Sequence, residues 1–221
     1  MSALLAVLWK DLATEWRSRD RFAAMLVFSV LVVVVLYFAA PPSIDARLNG
    51  YVPGLLWVAY LFAGVLGMNR AFAAELENDA LSALALAPVD RGFLFLGKAL
   101  ASFVVLAAVQ AITAVVFALA FGLDLAPVAL KLAAVAGLGA FGIACAGTLL
   151  AAISVRTRYR EVMLPLLLLP LLVPVLLGAV RATTQLLATG SLPWPPVQLL
   201  LVADAIYLIV SFLCFEYVLD E

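Results

Sequence analysis

The sequence predicts an all-α integral membrane protein: six transmembrane helices, an N-terminal interfacial helix and a helix on the cytoplasmic face. Three observations carry that prediction. Of 221 residues, 67% are hydrophobic and 12% charged, whereas soluble domains are about half apolar and a quarter charged. The mean hydropathy is +1.19, so the chain needs lipid as its solvent. Finally, apolar stretches of about 20 residues, long enough to cross a hydrocarbon core, alternate with short charged breaks.

Residues 3–20 come first. Leu5, Leu8, Trp9, Leu12 and Trp16 recur at helical spacing, opposite Lys10, Asp11 and Arg17. Tryptophans favour the headgroup zone and a basic end favours anionic lipid. The segment therefore reads as a helix in the interface, serving either as an anchor or as a lever on the first span. The spans follow at about 22–40, 51–69, 93–121, 127–153, 162–180 and 197–217. The first is expected to be retained, since it lacks the short core and cleavage pattern of a secretory signal and is followed by Pro41 and Pro42.

Orientation follows from lysine and arginine, which remain preferentially in the cytoplasm. Lys10, Arg17, Arg19, Arg21, Arg70, Arg91, Lys98, Arg156, Arg158 and Arg160 fall on one side of the predicted topology; only Arg47, Lys131 and Arg181 fall on the other. Both termini are therefore expected in the cytoplasm, with the chain forming one membrane-embedded domain over 1–221. No break holds a large soluble domain; the longest, 70–92, is cytoplasmic.

That break is rich in pattern. On a helical wheel Glu75, Asn78, Asp79 and Ser82 share one face, while Phe72, Leu76, Ala80, Leu81 and Leu84 fill the other. Glu77 falls on the apolar side, where a carboxylate is costly without a partner, and contact with Arg70 or Arg91 would supply one. Pro88 ends the helix, and Val89, Asp90 and Arg91 lead into span three. The segment is either a solvated connection or a docking helix. Gly92 to Lys98 spells Gly-x-x-x-x-Gly-Lys but is no phosphate loop. The next residue is Ala99 instead of Ser or Thr, the intervening residues Phe93, Leu94, Phe95 and Leu96 are apolar, and no βαβ pattern surrounds it. It reads as the start of span three, with Lys98 reaching back to the interface.

Span four repeats small residues at Ala136, Ala140, Ala144, Thr148 and Ala152, with Gly137, Gly139, Gly142 and Gly147 beside them. Such a face lets helices approach closely, within the chain or across a dimer. Span five holds Pro165, Pro170 and Pro174 and must bend or break. The polar residues deep in the spans are Gln110, Thr113 and Asp204. Intramembrane carboxylates are functional hypotheses by default, but Asp204 stands near the outer end of its span and reads as an interface-facing or hydrogen-bonded acid. Cys145 and Cys214 read as small buried hydrophobes.

Composition also narrows the chemistry. A net charge of −1 argues against nucleic-acid binding. With no histidine, the commonest general base, zinc ligand and haem ligand are missing. No catalytic or metal-ligating set is predicted.

The run Pro53-Gly54-Leu55-Leu56-Trp57-Val58-Ala59, followed by Asn69-Arg70, Glu75-x-Glu77, Leu86-Ala87-Pro88-Val89-Asp90-Arg91 and Gly97-Lys98, resembles the CcmB family. So do Lys10-Asp11-Leu12 with Glu15 and Arg17, and the proline-rich Leu164 to Leu177. That resemblance implies the permease subunit of an ABC-type complex in cytochrome c maturation, long called a haem exporter, in the bacterial inner membrane. It implies a separate ATPase of the CcmA type, membrane partners of the CcmC, CcmD and CcmE types, and a second copy of the permease as a further candidate partner. ATP would act through the ATPase and haem would be handled by the complex, with no cofactor bound directly and no catalysis in this chain. Docking residues would be Arg70, Glu75, Glu77, Asp79, Pro88, Asp90 and Arg91, with a second contact at Arg156, Arg158, Arg160 and Glu161. The alternative is a stand-alone secondary carrier or channel, which would depend on Asp204.

Overall fold

The computed structural model describes residues 3–39, 51–77, 91–155, 157 and 159–220. They form eight α-helices: α1 (Ala3–Ser18), α2 (Asp20–Ala39), α3 (Tyr51–Glu77), α4 (Arg91–Phe121), α5 (Ala129–Val155), α6 (Arg160–Leu171), α7 (Val173–Thr189) and α8 (Trp194–Asp220). A short 3₁₀ turn at Ala126–Val128 precedes α5. Among the described residues there is no strand. This follows from the solvent: in hydrocarbon each backbone polar group must be satisfied internally, and a helix does so within one segment.

Among the described residues five helices are long and apolar enough to span: Asp20–Ala39, Tyr51–Ala73, Arg91–Phe121, Ala126–Ser154 and Trp194–Val218. A sixth crossing is made by α6 and α7 together, bent by 57°. α6 starts within a few residues of the end of α5. Gly190, just after α7, accepts a 2.7 Å hydrogen bond from Lys131 Nζ at the start of α5. Val128, Leu132 and Leu186 form a small apolar cluster at the same place. The pair therefore runs the length of α5 and is one broken span, longer at its far end than the predicted 162–180.

The break has a chemical cause. Pro174 has no N–H to donate to the Pro170 carbonyl, and its ring crowds that carbonyl. The chain instead turns at Leu172, whose N–H reaches Leu168 and Pro170 oxygens. The Tyr207 hydroxyl of α8 donates to the Leu171 carbonyl, supplying a donor at the break from a neighbouring helix.

Small residues set the packing around α5. A Cβ on Gly139 would lie 2.4 Å from the Trp57 ring, one on Gly142 2.4 Å from Asp204 Oδ1, and one on Gly147 2.9 Å from Met68 Cγ. Those three glycines thus serve contacts within the chain, to α3 and α8, whereas Gly137 has nothing within 4 Å. The Trp57 indole, 1% exposed, stands edge-on to Tyr60 at 5.4 Å and donates to Thr183 Oγ1 at 3.0 Å. Ser29 on α2 and Thr113 on α4 share a 2.8 Å hydrogen bond between buried hydroxyls.

The second span differs from its expected form. α3 continues without interruption through Glu77, so 70–77 extends the spanning helix and is not the start of a separate one. The cysteines divide as well: Cys145 is buried, but Cys214 is exposed on α8.

Candidate functional site

While Lys131, at the start of α5, stands at one end of the bundle, most of the cations among the described residues gather at the other. α3 arrives there with Arg70 exposed on its surface, and its backbone carries Glu75 and Glu77 in the last turn. α4 departs from the same end, where Arg91 Nη1 donates to the Glu216 carbonyl of α8 at 3.2 Å. A Cβ on Gly92 would meet the Phe212 ring at 2.4 Å, and Phe95 lies 5.5 Å from Phe215. The first turns of α4 are therefore packed tightly on the last turns of α8.

α5 reaches this end alongside α8, because Ser211 Oγ donates to the Cys145 carbonyl at 3.3 Å and both helices run in the same direction. Thr157 Oγ1 closes the end of α5 on Ser154 O at 2.7 Å, Tyr159 stands exposed, and α6 opens with Arg160 and Glu161. Among the predicted docking positions, Arg70, Arg91 and the backbone of Glu75, Glu77, Arg160 and Glu161 thus meet at one face. Asp79, Pro88, Asp90, Arg156 and Arg158 lie outside the described residues. The same holds for the side chains of Glu75, Glu77, Arg160 and Glu161, and so for the acidic wheel face and the proposed contact of Glu77 with Arg70 or Arg91.

α1 lies against this end and corrects one expectation. Asp11, on the face opposite Trp9 and Trp16 as the periodicity predicts, turns toward the bundle with its side chain 19% exposed; Lys10 Nζ lies 3.0 Å from its Oδ1 and Lys98 Nζ 3.8 Å from its Oδ2. Lys98, expected to reach the interface, is 4% exposed and stands 5.4 Å over the Phe72 ring. The reason is steric: α1 covers that route, with Val7 buried beside Gly97. Leu5, Trp9 and Trp16 point away from the bundle, 50%, 71% and 77% exposed, as an interfacial helix requires. Arg19, in the left-handed region at φ 56, turns the chain sharply into α2. Glu15 Oε1 accepts the Phe22 N–H at 2.7 Å, satisfying one of the free donors at the start of α2. Arg21 Nε lies 3.9 Å from Glu15 Oε2. Sequence periodicity marked the outward face of α1, and the inward stripe of Val7, Asp11 and Glu15, at i, i+4 and i+8, was the signal left unread.

In the spans Asp204 also departs from expectation. It neither faces the interface nor is hydrogen-bonded: it is 4% exposed, and neither carboxyl oxygen has a partner among the described residues. Gly142 gives it room. The Gln110 side chain is likewise buried without a partner among them, while the Gln110 backbone carbonyl accepts the Tyr60 hydroxyl at 3.0 Å. Among the described residues no three His, Cys, Asp or Glu side chains converge as a metal site would require.

The CcmB protein family model matches residues 2–219, nearly the whole chain. The chain belongs to the CcmB family. Relatives of this CcmB-family chain include the "Heme exporter protein B" of Paracoccus denitrificans, 33% identical over 187 residues and covering 81% of this chain and 82% of that one. That of Rhodobacter capsulatus is 34% identical over 174 residues, 78% of each. That of Pseudomonas aeruginosa is 31% identical over 183 residues, 81% of each. The family-model match, residues 2–219, takes in the broken span, the α3–α4 connection and α8.

Proposed function

We propose that this chain is the membrane subunit of a haem-export or haem-delivery assembly in cytochrome c biogenesis, driven by ATP hydrolysis in a separate ATPase chain. The observation that supports it most is the basic end: Arg70, Arg91 and the start of α6 share one face with the two connections that leave it. The relatives' printed name supplies the cargo. The positive-inside rule puts this end, and both termini, in the cytoplasm of a bacterial inner membrane. There an ATPase of the CcmA type docks on 70–91, with 156–161 as a second contact. Partners of the CcmC, CcmD and CcmE types handle haem, while this chain, without histidine, transmits motion and binds no cofactor itself. A second copy of the chain is a further candidate partner.

The buried Asp204 favours a second reading, a carrier that works alone. Purification of the tagged chain in mild detergent, with mass spectrometry and an ATP-hydrolysis assay, separates the two. Recovery of an ATPase with cytochrome-maturation proteins is expected. Recovery of the intact chain alone, with nucleotide-independent transport abolished by Asp204→Asn, would favour the carrier.

A further inference from the structure

A groove of about 430 Å³ runs between Tyr51, Val58 and Leu61 of α3 and Leu176 and Val180 of α7, with the Trp57 indole in its wall. Below Tyr51 these side chains are apolar, and the one N–H among them, on Trp57, is already donated to Thr183 Oγ1 at 3.0 Å. A buried water needs two to four polar partners, so the groove stays dry; left empty, it would forfeit the dispersion contacts of its lining. From Tyr51 to Leu61 the helix rises about 15 Å, half of a hydrocarbon core about 30 Å thick. The groove is therefore one leaflet deep. It opens at the end of the bundle opposite the basic one, since α3 begins at Tyr51 and carries Arg70 at its far end. Next to Val180 stands Arg181, exposed on α7 and with no hydrogen bond or ion pair among the described residues. Its depth follows from Gly54, whose added Cβ would lie 4.0 Å from Val180 Cγ1. Arg181 is thus within about one turn of Tyr51, the exposed first residue of α3.

We propose that this groove holds one acyl chain of an anionic phospholipid whose phosphate pairs with Arg181. An apolar slot one leaflet deep with an unpaired cation at its head matches such a lipid in length, in polarity and in sign of charge. A guanidinium can give a phosphate two parallel N–H donors, and Tyr51 stands at the level where aromatic side chains meet headgroups. A second copy of the chain fits less well. Symmetry about the membrane normal would place two unpaired Arg181 side chains at one depth in a single contact, where like charges repel strongly in a low dielectric. The bound chain completes the packing of α3 on the outer half of the broken span, and the proposal is independent of ATPase docking.

The test uses the full chain in phosphatidylcholine nanodiscs, with Trp9→Phe, Trp16→Phe and Trp194→Phe leaving Trp57 as the one indole. Acyl chains brominated near their middle quench an indole at short range, so Trp57 reports a chain in the groove. Brominated phosphatidylglycerol is expected to reach half-quenching at a mole fraction about tenfold lower than brominated phosphatidylcholine, as one charge-assisted contact would give. Arg181→Gln should erase that preference, and native mass spectrometry should count one bound phosphatidylglycerol on the parent and none on this variant. Gly54→Leu, whose Cβ meets Val180 only at ordinary contact distance, should fill the slot and weaken quenching by both lipids. Arg181→Gln alters an exposed side chain and decides the matter alone if Gly54→Leu misfolds. Equal half-quenching by the two lipids in the parent would overturn the proposal, leaving unselective solvation by lipid. Quenching that survives in a folded Gly54→Leu would overturn it too, as would a dimer of the parent that Gly54→Leu splits, which would assign the groove to a second copy.

Discussion

Gly142→Ala is a demanding test of how α8 sits on α5. The added methyl would lie 2.4 Å from Asp204 Oδ1 and 3.0 Å from Val175 Cγ2, where ordinary contact begins at 3.4 Å. It meets two helices at once, and the carboxyl it must displace is buried with no hydrogen-bond partner among the described residues. Overpacking of this kind costs about 1–3 kcal/mol. The upper half of that range is expected here, about thirty- to 150-fold in the folding equilibrium constant at about 1.4 kcal/mol per tenfold. Asp204→Ala alone should be milder, within about 1 kcal/mol, because it exchanges two unsatisfied oxygens for a small void. The double variant should recover about 1–2 kcal/mol of the loss, a coupling typical of touching residues. Unfolding in mixed micelles, followed by the fluorescence of the buried Trp57, gives all four corners of the cycle. Equal stability of Gly142→Ala and its parent would refute the packing argument, and so would a double variant no more stable than Gly142→Ala.

Pro174→Ala restores an N–H to the break, so the 57° bend should decrease and the distance between spin labels at exposed positions 162 and 181 should lengthen; an unchanged distance would remove Pro174 as the cause. Ser29→Ala breaks the α2–α4 hydroxyl pair, but Thr113 also donates to its own Val109 carbonyl at 2.8 Å. The loss should therefore stay near 0.6 kcal/mol, about the average for intramembrane hydrogen bonds, in the same unfolding assay. Charge reversal at Glu75 or Asp79 should lower recovery of the ATPase in pull-downs at least about tenfold, as loss of contacts worth about 1.4 kcal/mol or more would, while membrane insertion is unaffected. Neutralising Arg156, Arg158 and Arg160 together should disturb topology more than activity, and protease access to that loop in inside-out vesicles reports it.

Hydropathy marked the stretches that form the five long apolar helices and the bent α6–α7 pair among the described residues, since length and charge in a lipid solvent leave a chain little choice. The prolines likewise announced the broken span, because a missing N–H acts locally wherever the helix packs. What stayed hidden depends on rotation about helix axes. α8 is apolar all round, so nothing in its periodicity says that Asp204 faces Gly142 while Cys214 faces outward. The Asp11–Lys98 contact joins residues 87 positions apart and exists only because Gly97 admits α1. In the basic end, charge bias identified the face, whereas the glycines at 92 and 97 determined which helices meet there.

The hydroxyl of Tyr207 that reaches Leu171 has a consequence for biosynthesis. While the ribosome has delivered only as far as Thr189, the fifth span has reached the translocon with this carbonyl lacking its donor, and hydrocarbon offers no substitute. The donor emerges with the sixth span, 36 residues after Leu171. The fifth span must therefore wait at a wet or protein-lined site until the sixth arrives. A chain ending before Tyr207 would leave its bent helix exposed as a mark for membrane quality control.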